Sequence, residues 1–124
     1  MQKKVLVVDD EPGMRELLKE RFEAVGFPCV TAANGQEAIR IAKEEQPNLV
    51  ILDLVMPGLD GYETYRVLKS LPETRDAKIV VYTAQDHDAV MNEGVDALDI
   101  LDFVVKPVDL DSLTFLVKKT LNCL

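Results

Sequence analysis

Tryptophan is absent from the 124 residues, histidine occurs once, at His87, and cysteine twice, at Cys29 and Cys123. So few nitrogen and sulfur ligands, without CxxC spacing, disfavour a zinc site. The two thiols stand in separate apolar contexts and read as reduced, the usage of a cytoplasmic protein rather than a disulfide-bonded one. Basic residues are also in short supply. Fourteen Lys and Arg against 22 Asp and Glu leave a net charge of −8. That charge repels phosphate backbones and anionic lipids, so no direct binding to nucleic acid or membrane is expected. No apolar run approaches the roughly 20 residues of a membrane-spanning helix. Met1-Gln2-Lys3-Lys4 leads into an apolar stretch too short for a signal peptide. No repeat, linker or low-complexity segment interrupts the chain. A hydrophobic fraction of 48% and a charged fraction of 29% fit one ordinary globular domain spanning 1–124.

What the chain does have is an alternation of short apolar runs with amphipathic segments. Val5-Leu6-Val7-Val8 and Leu49-Val50-Ile51-Leu52 show no polar alternation, as expected for strands buried on both faces. Further strands are expected at 29–32, at a sheet edge, at 79–82 and at 103–105. Pro12 and Gly13 open a first helix with an apolar stripe of Met14, Leu17, Leu18, Phe22 and Val25, and Gly26 suits the position just past its end. Asn34, with Glu37 three residues on, reads as the capping box of a second helix that buries Ala38, Ile39, Ile41 and Ala42 and ends before Pro47. The stretch 56–61 is turn chemistry. A third helix is expected at about 62–71, carrying Tyr65, Leu68 and Leu71 inward, and a polar fourth at about 86–98, which Gly94 weakens. Asp109 or Asp111 caps a last helix bearing Leu113, Leu116, Val117 and Leu121. Strands alternating with helices imply an α/β fold, a doubly wound parallel sheet with helices on both faces.

Four of the apolar strands finish in polar residues: Asp9-Asp10, Asp53, Thr83 and Lys106. In a parallel sheet all carboxyl ends lie on one edge, where ligands bind. Three carboxylates, a hydroxyl and an ammonium therefore converge on one site. Crowded carboxylates repel one another, and a hard divalent cation removes the conflict. Oxygen-only ligands completed by water suit Mg²⁺. A carboxylate beside Mg²⁺ and a lysine is equipped to accept a phosphoryl group. Singly, each residue has a plainer reading. Asp10 could cap the first helix, Asp60 serve a turn, Lys106 be a solvated lysine, and Thr83 an ordinary strand end. His87 reads as a loop residue, the acids between 86 and 102 as a solvated face, and Tyr62, Tyr65 and Tyr82 as packing residues with wet hydroxyls. The coincidence of complementary chemistry at four strand ends outweighs these.

Val7-Val8-Asp9-Asp10-Glu11, the run from Leu52-Asp53 to Met56-Pro57-Gly58-Leu59-Asp60-Gly61, Tyr82-Thr83-Ala84 and Val105-Lys106-Pro107 together resemble the receiver domain of two-component response regulators, the CheY-like family. The resemblance covers essentially the whole chain. It implies five parallel strands in the order 2-1-3-4-5, an order the general rule for such sheets already illustrates with CheY. It implies that Asp53 is the phosphoacceptor, that Asp10 ligates Mg²⁺ directly and Asp9 largely through water, and that the Val55 backbone carbonyl completes the protein ligands. Thr83 and Lys106 would contact the phosphoryl group, together with the backbone of Ala84, and Phe103 occupies the aromatic switch position. The Lys106-Pro107 bond is expected to be cis. Val55 and Gln85 flank the path of hydrolytic water in the family; the branched Val55 favours slow loss of the phosphoryl group, while Gln85 could either orient that water or block its path. The implied partners are a sensor histidine kinase or phosphotransfer protein, a downstream output domain or protein, and a second copy in a phosphorylation-dependent homodimer. A switch of this kind is no enzyme beyond catalysing its own phosphorylation and dephosphorylation.

Two departures touch the output side. Asp99-Ile100 stands where the family usually has Gly-Ala, after a stretch one residue longer, and the last helix lacks the charge pattern of winged-helix regulators. Three competing readings remain. A phosphatase of the haloacid-dehalogenase type wants a second Asp two residues after the first, where this chain has Val55. A flavodoxin-like carrier needs a phosphate-cradling loop after the first strand, where Asp9-Asp10-Glu11 would repel phosphate. A receiver-like interaction module without phosphorylation has no need of the complete acidic and basic set.

Overall fold

Strands without polar residues leave no face that tolerates water, so each must lie in a sheet covered on both sides. The structure, a computed structural model, has that arrangement. It describes residues 3–54, 61–83, 102–105 and 109–122, with only the backbone described at 83 and 102–105. The elements run β1 (Val5–Val8), α1 (Pro12–Ala24), β2 (Cys29–Ala32), α2 (Gly35–Glu45), β3 (Leu49–Leu52), α3 (Gly61–Ser70), β4 (Lys78–Thr83), β5 (Asp102–Val105) and α4 (Leu110–Thr120). The sheet order is β2-β1-β3-β4-β5, and every neighbouring pair is parallel. The expected helix at 86–98 lies outside the described residues, as do 56–60 and Cys123.

Strand parity sorts the core into two layers. Leu6, Val8, Val50, Leu52, Ile79 and Val81 face α2 and α3, packing on Ala38, Ala42, Tyr65 and Leu68. Val5, Val7, Leu49, Ile51, Val80 and Tyr82 face α1 and α4, packing on Leu18, Phe22, Leu113 and Val117. The order of strands also explains the placement of helices. Crossovers that move from β1 outward to β2 and then back past β1 to β3 must put their helices on opposite faces if each is right-handed.

Helix ends follow the local chemistry. Asn34 accepts from the Glu37 amide at 2.8 Å. The Glu37 side chain reaches back to the Ala33 amide at 3.3 Å, one residue before the partner of a standard capping box. Gly26 adopts φ +100° just past α1, a conformation that costs glycine nothing. Asp109 is the N-cap of α4 and accepts from the Asp111 amide. Its carboxyl is held below the usual range by the Ser112 hydroxyl first and that amide second.

Two sequence expectations need correction. Leu17 is 44% exposed rather than part of the buried stripe of α1. Met14, Leu18 and Phe22 recur every four residues and occupy the sheet-facing line, and Leu17 sits one 100° step to its side. Gly61 is the first residue of α3 rather than the last of a turn. Its amide donates to the Leu54 carbonyl at 3.2 Å, and the helix begins pressed against the chain that leaves β3. A Cβ at this position would lie 2.7 Å from the Leu54 carbonyl carbon, and nearer still to Leu54 Cα and the Asp53 carbonyl oxygen.

Gly61→Ala must therefore displace backbone rather than a flexible side chain. The expected cost is about 1–3 kcal/mol, read as a lowered urea midpoint at unchanged m-value. Cys29 gives a pH-dependent prediction. Burial pushes its thiol up to about 12 from an ordinary 9.0, with Lys19 opposing weakly. The fold favours the neutral thiol. The contribution of Cys29 to stability is thus intact below pH 9 and is lost as pH rises from about 9 towards 12. Native protein at pH 8 should leave Cys29 unmodified by iodoacetamide, and urea-unfolded protein should modify it, as measured on the Cys29 peptide by mass spectrometry.

Candidate metal and phosphoacceptor site

The site is built by register. Val8 in β1 pairs with Leu52 in β3, and Leu52 with Val81 in β4. One residue further on, Asp9, Asp53 and Tyr82 form the next row across the three strands. The ladder continues through it, because the Asp9 amide donates to Ala32 at 3.1 Å and the Asp53 amide to Val8 at 3.1 Å. Asp9 and Asp53 are therefore fixed by main-chain bonds of the sheet itself. Side-chain parity puts both in phase with Val7 and Ile51, on the layer that faces α1 and α4.

The acids differ in environment. Asp9 is fully buried, Asp53 is 4% exposed, and Asp10 is exposed. Carboxylate oxygens of the three lie within 4.8 Å of one another. Buried carboxylates require hydrogen-bond donors. Asp9 has them on both oxygens. Oδ1 accepts from the Glu11 amide at 2.9 Å, and Oδ2 accepts from the Tyr82 hydroxyl. The Asp9 carbonyl also accepts from Arg15 Nη1 at 2.8 Å, tying the first turn of α1 to the end of β1.

The sequence expectations divide accordingly. Asp9, Asp10 and Asp53 are brought together. Asp10 is not the cap of α1: the N-cap is Glu11, which makes no side-chain cap bond. Thr83 ends β4 and pairs in register with Val105, and Phe103 in β5 pairs with Val81. The side chains of both lie outside the described residues. Val55, Ala84, Gln85, His87, Lys106 and Pro107 lie wholly outside them. Tyr82 corrects the sequence reading, which gave it a wet hydroxyl. It is fully buried and donates to Asp9. Burial first, and then the hydrogen bond to Asp9, keep its phenol protonated far above the ordinary range. The missed signal was parity: Val80 and Tyr82 are in phase with Ile51 and Asp53.

Chemically, the donor set is a cluster of hard oxygens, two of them shielded and one open to solvent. It fits a divalent cation that keeps part of its water shell. No helix among the described residues is long and apolar enough to cross a membrane.

Comparison with known proteins agrees with this geometry. The family model of the response regulator receiver domain matches residues 5–118. Sporulation initiation phosphotransferase F of Bacillus subtilis is 37% identical over 121 residues, covering 98% of this chain and 95% of that protein. A probable transcriptional regulator, ycf27, of Porphyridium aerugineum is 43% identical over 108 residues, covering 86% of this chain. The match takes in only 43% of the regulator's length, so this chain spans less than half of such relatives. Among solved structures, the Thermotoga maritima response regulator TrrA in complex with Mg²⁺-BeF is 39% identical with a TM-score of 0.81, covering 96% of this chain and 99% of that one. Vibrio cholerae CheY4 is 25% identical with a TM-score of 0.87, covering 97% and 99%. With the match over 5–118 and the acids gathered at the carboxyl edge of its sheet, the chain belongs to the response regulator receiver domains, the phosphoacceptors of two-component signalling.

Proposed function

We propose that the whole chain, 1–124, works as one receiver domain in which Asp53 accepts a phosphoryl group in a Mg²⁺-dependent reaction. The observation that carries this reading is the gathering of three carboxylates within 4.8 Å in a chain of this family. Asp10 and Asp53, with the Val55 carbonyl, would hold the cation directly, and Asp9 through water. Bound there, Mg²⁺ supplies positive charge against both the acids and the phosphoryl oxygens.

The remaining work falls to the chain. An Asp53 oxygen attacks phosphorus, and the bond from phosphorus to a donor histidine nitrogen breaks, leaving that nitrogen with the electron pair. The near-complete burial of Asp53 limits water at the same centre. Thr83, Lys106 and the Ala84 amide would then contact the phosphoryl oxygens. Movement of Thr83 towards the phosphoryl group opens space for Phe103, a shift between two packings driven by contacts made only after transfer. The domain is a switch, and its catalysis extends to its own phosphorylation and dephosphorylation.

The partners that fit are a sensor histidine kinase or a phosphotransfer protein, in a cytoplasmic setting. A relative named as a phosphotransferase supports a relay, and relatives about twice as long support an attached or separate output module. A phosphorylation-dependent homodimer is a further partner of the same switch.

Incubation with acetyl phosphate and Mg²⁺ should add one phosphoryl mass, and Asp53→Asn should abolish it, because an amide is a poor nucleophile. Full labelling of that variant would assign the acceptor elsewhere. No labelling of the wild type would favour the unphosphorylated interaction module. The crowded acids also predict a stability effect. Without divalent cations, Asp10→Asn should raise the melting temperature by about 2–6 °C, by removing repulsion. Saturating Mg²⁺ should raise that of the wild type by mass action. A scanning calorimeter measures both.

A further inference from the structure

Among the described residues that hold the acids in place, Tyr82 is the one that reaches from a distant strand. β1 and β4 are separated by β3, a distance of about 10 Å at the usual strand spacing. The side chain must cross the strand that carries Asp53 before its hydroxyl meets Asp9 Oδ2. Aliphatic residues, which fill the other positions of this layer on β1 and β3, could pack there but could not donate. The other oxygen, Oδ1, is taken by the Glu11 amide. The carboxylate is thus fixed at both ends, by its own loop and by a strand two places away. The Tyr82 side chain is fully buried, in the cluster that also holds Val80, Ile51 and Leu113, and close packing of the interior restrains it.

We propose that Tyr82 is a positioning residue that sets the cation preference of the acidic site. With each oxygen already accepting a hydrogen bond from a rigid donor, Asp9 is restrained from turning to chelate a cation with both oxygens. It is left to meet the cation through water. That suits Mg²⁺, which gives up water reluctantly and demands near-octahedral geometry. It penalises Ca²⁺, which gains most from extra and bidentate carboxylate oxygens. The hydroxyl therefore contributes selectivity for the small ion rather than raw affinity. This rests on the divalent-cation reading of the cluster.

The test is a pair of titrations, with Mg²⁺ and with Ca²⁺, on wild type and Tyr82→Phe. The variant keeps the ring and removes only the donor. The ratio of the Ca²⁺ to the Mg²⁺ dissociation constant should fall about tenfold, the scale of one hydrogen bond to a charged group. In an Asp9→Asn background the same substitution should leave the ratio unchanged. General loosening of the fold would weaken both ions alike and not move the ratio. A ratio within twofold of wild type in Tyr82→Phe, or an equal change in the Asp9→Asn background, would overturn the proposal. Failure of the wild type to bind either ion would instead overturn the cation reading beneath it. Should Tyr82→Phe not fold, the wild type decides. The ¹³Cζ resonance of labelled Tyr82 should stay at its hydrogen-bond-donating position when Mg²⁺ saturates, and its loss on Mg²⁺ binding would refute the proposal.

Discussion

The structure depends on one constraint, the parallel register of β1, β3 and β4 at their carboxyl ends. Because Val8, Leu52 and Val81 share a row, the next residues must share one too. Two of these are aspartates and the third is the tyrosine that hydrogen-bonds one of them. A one-residue slip of β3 against β1 would turn Asp53 to the layer lined by α2 and α3 and push Leu52 out of its own. The apolar residues that fill both layers thus enforce the geometry of the site, and the site needs no scaffold of its own.

The same register explains how buried acids are tolerated. Taking a carboxylate out of water is costly unless donors replace the lost water. Asp9 is supplied by the Glu11 amide and the Tyr82 hydroxyl. Asp10 stays exposed, at the N-terminal side of α1, where the helix dipole favours negative charge. Division of labour follows from this difference. Two acids are held by the fold, and one remains open to solvent. Gly61 belongs to the same arrangement. It lets α3 start against the Asp53–Leu54 backbone and so closes the chain around Asp53 from the opposite layer.

Much of this was legible from the sequence because the relevant signals are local. The all-apolar runs 5–8 and 49–52 mark doubly buried strands, the polar residues at their ends mark the functional edge, Asn34 marks one helix start, and Asp109 or Asp111 another, of which the structure selects Asp109. Asp9, Asp10 and Asp53 could be gathered from strand ends alone. Tyr82 could not be assigned in the same way. A tyrosine in an apolar run reads as packing, and its role depends on a partner 73 residues away, across an intervening strand. Leu17 misled for a related reason: apolar character does not say which side of a helix line meets the sheet. Gly61 read as part of a turn because its composition is that of a turn, and the close approach that requires it is tertiary.

The central claim is that register gathers Asp9, Asp10 and Asp53 into one divalent-cation site. Anomalous diffraction from crystals soaked in Mn²⁺, which shares the oxygen preference of Mg²⁺, tests it most directly. The account predicts a single strong peak at the carboxyl edge of the sheet, within coordination distance of Asp10 and Asp53 and separated from Asp9 by water. A peak bound directly by both oxygens of Asp9, or no peak at this edge beside one elsewhere on the acidic surface, would contradict it.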